Sequence, residues 1–96
     1  MFVVTAKAKE KLKEALHELA ADAGEAFRIT PFLSMQNDFL LSLDNEREGD
    51  RVVESEEGVK VLFIQSCLAS ELEGMVFDHL EITHVAGFTI SRLTFH

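Results

Sequence analysis

The hydrophobic period of this chain changes once, from 3.6 residues to 2, just after Gly24, and that switch limits the folds open to it. Before it, Ala8, Leu12, Ala15, Leu16, Leu19 and Ala23 recur at three- and four-residue spacing and line one face of a helix. Thr5 stands where its side-chain oxygen can accept from a free N–H of the first turn, and Gly24 supplies a left-handed stop. Lys7, Lys11 and Lys13 face Glu10 and Glu14 on the opposite side, spaced for weak ion pairs.

Beyond the switch, apolar and polar residues alternate. Phe27 and Ile29 alternate with Arg28 and Thr30 in a strand that Pro31 confines to a sheet edge or ends in a bulge. Phe39, Leu41 and Leu43 form a second run, followed by a solvated acidic turn at residues 44–50. Residues 51–54 and 59–64 read as strands around the turn Glu56-Glu57-Gly58, and the second, apolar on both faces, is expected to be buried. Ser66 is placed to cap a brief helix carrying Leu68 and Leu72 and stopped by Gly74. Residues 76–84 and 88–92 close the pattern as strands joined near Ala86-Gly87. The sum is an α+β, mainly β unit. We expect a small β-sandwich of about six to seven short strands, in antiparallel or mixed sheets, covered by the N-terminal helix.

Composition narrows the function. At 96 residues the chain is read as one domain, residues 1–96, with no linker, repeat or low-complexity tract. A formal charge of −8, from 9 Lys and Arg against 17 Asp and Glu, argues against nucleic acid and against an anionic membrane as partners. No apolar run approaches the roughly 20 residues a membrane span needs. The opening Met1-Phe2-Val3-Val4-Thr5 runs straight into lysines, the reverse of a secretion signal, so a cytoplasmic location is expected. One cysteine, Cys67, leaves no internal disulfide and no CxxC motif.

Several segments together resemble a known family. Thr5-Ala6-Lys7-Ala8 opens the helix, Phe39-Leu40-Leu41-Ser42-Leu43-Asp44 forms the second strand, and Asp50-Arg51-Val52-Val53-Glu54 precedes Gly58-Val59-Lys60-Val61. Phe77-Asp78 and Gly87-Phe88-Thr89-Ile90 follow in order. In sequence and spacing over residues 2–92, this resembles the HesB/IscA-like, A-type iron–sulfur carrier domain. The resemblance implies the HesB-like sandwich, self-association as a homodimer or higher homo-oligomer, and a cysteine in the loop before the aromatic strand. Counting back from Phe39, that cysteine position falls at or near Ser34. The family's Cys-Gly-Cys pair after the last strand has no counterpart in Arg92-Leu93-Thr94-Phe95-His96. An iron–sulfur cluster requires several thiolates, and one cysteine per chain does not supply them.

The remaining candidates are weighed by residue type. Cys67 reads as a small buried packing residue, with a reactive thiol or a ligand shared across a subunit boundary as the alternative. His79 and His84 lie five apart, on opposite faces of one strand, so a metal site using His79, His84 and Cys67 needs the fold to gather them. His17 lies on the helix and His96 at the end of the sequence. Residues 44–57 hold seven acids: ordinary acidic turns, or a docking patch for a basic partner. Ser34 has no general base beside it and no nucleophile elbow, so no enzyme is expected. Phe32, Leu33 and Met35 around it offer an apolar contact surface for a second copy or a partner. Five of the eight Phe residues, Phe27, Phe39, Phe63, Phe77 and Phe88, sit on strand faces and are expected in the core. The resulting expectation is a non-catalytic domain with no cofactor, acting as a protein-interaction module. The alternative is a residual mononuclear iron or zinc protein using His and carboxylate ligands.

Overall fold

The structure, a computed structural model, describes residues 2–31, 39–82 and 85–92. Its elements are β1 (Val3–Val4), α1 (Ala6–Glu18), β2 (Glu25–Pro31), β3 (Phe39–Asn45), β4 (Arg51–Glu54), β5 (Lys60–Ile64), β6 (Met75–Ile82) and β7 (Val85–Arg92). A 3₁₀ helix, Ser66–Leu72, lies between β5 and β6. The strands form two sheets, in the orders β1-β6-β7 and β3-β2-β5-β4. Each sheet is mixed: β1 with β6 and β2 with β5 run parallel, and the other pairs are antiparallel. This is the helix-covered α+β arrangement expected from the change of period.

Helix α1 is anchored at its start and cut short at its end. The Thr5 hydroxyl accepts from the Ala8 N–H at 3.1 Å and donates to Asp78 Oδ1 on β6 at 2.6 Å, so one side chain caps the helix and ties it to a sheet. Ala8, Leu12 and Leu16 are buried, each leucine stabilising the fold by about 2 kcal/mol. The apolar spacing continues to Ala23, yet the helix stops at Glu18 and Leu19 is 58% exposed. The cause is Ala20, at φ +52. The Ala21 N–H donates to the Leu16 carbonyl and the Ala20 N–H to the His17 carbonyl, a Schellman closure with alanine where glycine is usual. Gly24, at φ +90, instead turns the chain into β2. Left-handed backbone costs a residue with a Cβ about 1–2 kcal/mol. Ala20→Gly is therefore expected to raise folding stability by about 0.5–1 kcal/mol after the added freedom of the unfolded chain is counted. Urea unfolding measures this directly, and a lower midpoint would contradict it.

Strand β2 is not the edge strand that Pro31 suggested, because it lies between β3 and β5. The parallel pairing with β5 involves Phe27 and Arg28, so Pro31 falls beyond it and loses no ladder bond there. Strand β5 is buried at Val61, Leu62, Phe63 and Ile64, as its continuous apolar run requires. The sheets meet through aromatic rings. Phe39 of β3 approaches Phe77 of β6 edge-on at 5.4 Å, and Phe77 stacks on Phe88 of β7 at 5.3 Å. Phe27, Phe63 and Phe77 are buried, and Phe39 and Phe88 pack against them half-buried.

Two turn expectations fail. Gln65, not Ser66, is the residue preceding the 3₁₀ helix, and it makes no side-chain cap. Ser66 instead lies beside Gly49: a Cβ on that glycine, at φ +84, would sit 3.4 Å from the Ser66 hydroxyl. In the β6 and β7 hairpin, Glu81 pairs with Ala86 and Ile82 with Val85, so Ala86 and Gly87 belong to the strand and not to its turn.

Candidate functional site

A buried polar cluster centres on Arg28, in the middle of β2. Its neighbours Phe27 and Ile29 point to the opposite sheet face, leaving Arg28 only 6% exposed beside the Phe63 ring, 5.7 Å away. A buried guanidinium needs its charge and its N–H groups met. Nη1 and Nη2 donate to the two oxygens of Asp50 at 2.9 and 2.6 Å, Nε donates to Asp44 Oδ2 at 2.7 Å, and Nη2 also reaches the Asn45 carbonyl at 3.1 Å. The fork on Asp50 is bidentate, the strongest form of such a pair. Asp50 also accepts from the Arg47 N–H at 2.7 Å, which closes the turn after β3. Residues 44–50 are thus more than a solvated acidic turn, since two of their carboxylates neutralise a buried arginine. The sequence signal was there: a lone arginine in an apolar strand, followed by more aspartates than a turn needs.

This geometry sets an acid limit on stability. Hydrogen bonding from Arg28 holds the carboxyls of Asp50 and Asp44 below the ordinary aspartate value of 3.8. The Thr5 hydroxyl does the same for Asp78, and Lys11 lowers Glu81. Groups whose values fall on folding stabilise the native state above their unfolded values, and that contribution is lost as pH drops through the folded values. The urea midpoint is expected to hold steady from neutral pH to about pH 5 and to fall below about pH 4. A flat profile into strong acid would contradict this.

Of the candidate metal ligands, His79 and Cys67 lie among the described residues. His79 is 9% exposed on the inner face of β6 beside buried Phe77, with the Phe88 ring edge-on at 4.9 Å. Among the described residues its buried Nδ1 has no hydrogen-bond partner, and a Glu81 carboxylate oxygen, bonded to Lys11 at 3.0 Å, lies 3.9 Å away. Leu80, which alternation would bury as readily, is 46% exposed. Cys67 lies on the 3₁₀ helix and is exposed, so the packing role expected of it is wrong. The side chain that fills the core from that helix is Leu72, at its other end. Among the described residues no group of three His, Cys, Asp or Glu side chains is placed to hold a metal ion. His84 and His96 lie outside the described residues, as does the loop with Phe32, Leu33, Ser34 and Met35. The described ends of that loop, Pro31 and Phe39, pair with each other and bring its base to the sheet end where Phe39 meets Phe77. No helix among the described residues is long and apolar enough to cross a membrane.

Comparison with solved structures decides the architecture. Escherichia coli SufA, described as involved in the biosynthesis of iron–sulfur clusters, superposes with a TM-score of 0.67 at 18% identity, covering 95% of this chain and 84% of SufA. IscA carrying a 2Fe–2S cluster gives 0.59 at 20% identity over 96% and 85% of the two chains. This chain has the HesB/IscA-like fold. An Aquifex aeolicus protein solved by NMR gives 0.64 at 29% identity over 95% and 90%. No protein-family profile matches the sequence, and no curated protein is similar to it in sequence. The HesB/IscA-like resemblance of the sequence therefore holds at the level of fold, carried by hydrophobic order and turn spacing more than by residue identity.

Proposed function

We propose that this domain keeps the scaffold of the iron–sulfur carriers SufA and IscA but works as a non-catalytic, cluster-free protein-interaction module. The observation that carries this reading is the cysteine count. These 96 residues contain one cysteine, Cys67, exposed on the 3₁₀ helix, while the position corresponding to the carriers' loop cysteine falls at or near Ser34. A cluster needs a set of thiolates, and two copies of this chain would bring two. The donor set present does not fit a cluster. A mononuclear iron or zinc reading rests on His79 and its unpartnered Nδ1, and among the described residues no group of three His, Cys, Asp or Glu side chains is placed to complete such a site. Self-association follows from the resemblance to the carriers, and the apolar residues Phe32, Leu33 and Met35 of the Ser34 loop are the surface proposed for it.

The test is sedimentation of the purified chain, with and without a charge in that loop. The module reading expects a multiple of 10.8 kDa that Met35→Asp or Phe32→Asp shifts toward the monomer, or a partner whose binding those changes abolish. A strict monomer whose interactions ignore the loop would overturn it.

A further inference from the structure

An open cleft of about 940 Å³ lies where the C-terminal end of α1 and the segment leading into β2 face the turn between β4 and β5. Leu16, Ala21 and Val59 contribute apolar surface to it, and Val59 is 41% exposed. Its polar rim is unbalanced. Lys13 and Lys60 are spent within the chain, on Glu57 at 2.6 Å and Glu46 at 2.7 Å. Glu14 is paired with Lys11 at 3.2 Å, and Glu25 accepts from the Asp22 N–H at 2.7 Å. Glu18 and Asp22 have no cationic partner among the described residues. Glu18 also stands at the C-terminal, negative end of the helix dipole, one turn from Glu14, where like charges repel and a cation is favoured.

We propose that this cleft docks a basic, apolar peptide segment, with a lysine or arginine placed against Glu18 and Asp22 and an aliphatic side chain on Leu16, Ala21 and Val59. The space suits a few side chains. The charge arrangement selects a cation, since an anionic peptide would add repulsion to a chain already at −8. The assignment goes beyond the module reading by giving it a second surface and a partner chemistry. Should the cleft fail its test while cluster reconstitution stays negative, the cleft assignment alone falls.

The probe is a short fluorescent peptide of lysine and leucine, titrated against the intact chain by anisotropy, with a glutamate-for-lysine version as control. The expected result is binding of the lysine peptide and none of the glutamate peptide. Glu18→Lys combined with Asp22→Lys should weaken binding at least about tenfold, whereas Glu48→Lys with Glu71→Lys, an equal change in net charge, should alter it less than about twofold. Val59→Asp, on an exposed side chain, tests the apolar part independently and should also weaken binding. Amide shifts in NMR should cluster at residues 13–25 and 58–60. Absence of binding, equal weakening by both charge-reversal pairs, or shifts centred on residues 44–57 would overturn the proposal.

Discussion

Arg28→Met is expected to lower folding stability by about 3–5 kcal/mol, because it leaves Asp50, whose side chain is 1% exposed, buried without a counter-charge. For a domain that begins with about 5–15 kcal/mol, this is a large share. The size of the effect comes from the orphaned carboxylate more than from any net gain the pair provides. Two further variants separate these contributions. Asp50→Leu alone strands the guanidinium, although Asp44 and the Asn45 carbonyl still engage it, so a smaller loss is expected. The double change Arg28→Met with Asp50→Leu removes both charges and should recover part of the loss of the single Arg28→Met. Urea unfolding of the three variants reads this as a double-mutant cycle. Additive losses would mean that the two residues do not act as a pair. The acid-induced fall in stability should also become shallower in the double variant.

Phe77→Ala is expected to cost about 3–5 kcal/mol, by loss of transfer energy and by the cavity it leaves. Phe77 is fully buried and makes ring contacts with Phe39 of the other sheet and Phe88 of its own. Its truncation opens the seam between the sheets. Phe88→Ala removes a half-buried ring from the same stack and should cost visibly less. Equal losses for the two would contradict the position of Phe77 at the centre of the contact.

The elements of the fold were legible because hydrophobic period reports them directly. Ala8, Leu12 and Leu16 on the helix and the unbroken apolar run of β5 are read correctly from spacing alone. Failures cluster where backbone conformation or pairing across the molecule decides. Alanine at φ +52 ends α1 four residues before the first glycine, and nothing local to Ala20 announces it. The central position of β2 depends on which of its residues pair with β5, a non-local matter that Pro31 obscured. Cys67 follows the bias of free cysteine toward burial, but a 3₁₀ helix turns its side chains differently from an α-helix and buries Leu72 instead. The Arg28 cluster was half legible: the arginine and the aspartates were visible, while their meeting required the β2 and β3 register that sets Arg28 opposite Ser42 and Ala26 opposite Asp44. The likeness to the HesB/IscA-like fold was legible as order and spacing, whereas the expectation that the family's loop cysteine falls at or near Ser34 lies outside the described residues.

Separation of scaffold from cargo chemistry is the central claim, and anaerobic incubation of the purified chain with Fe²⁺ and sulfide tests it most directly. After desalting, a colourless protein with iron and sulfide far below one per chain is expected, and the same outcome for Cys67→Ser. A brown protein with visible absorption and stoichiometric iron and sulfide, lost in Cys67→Ser, would contradict it.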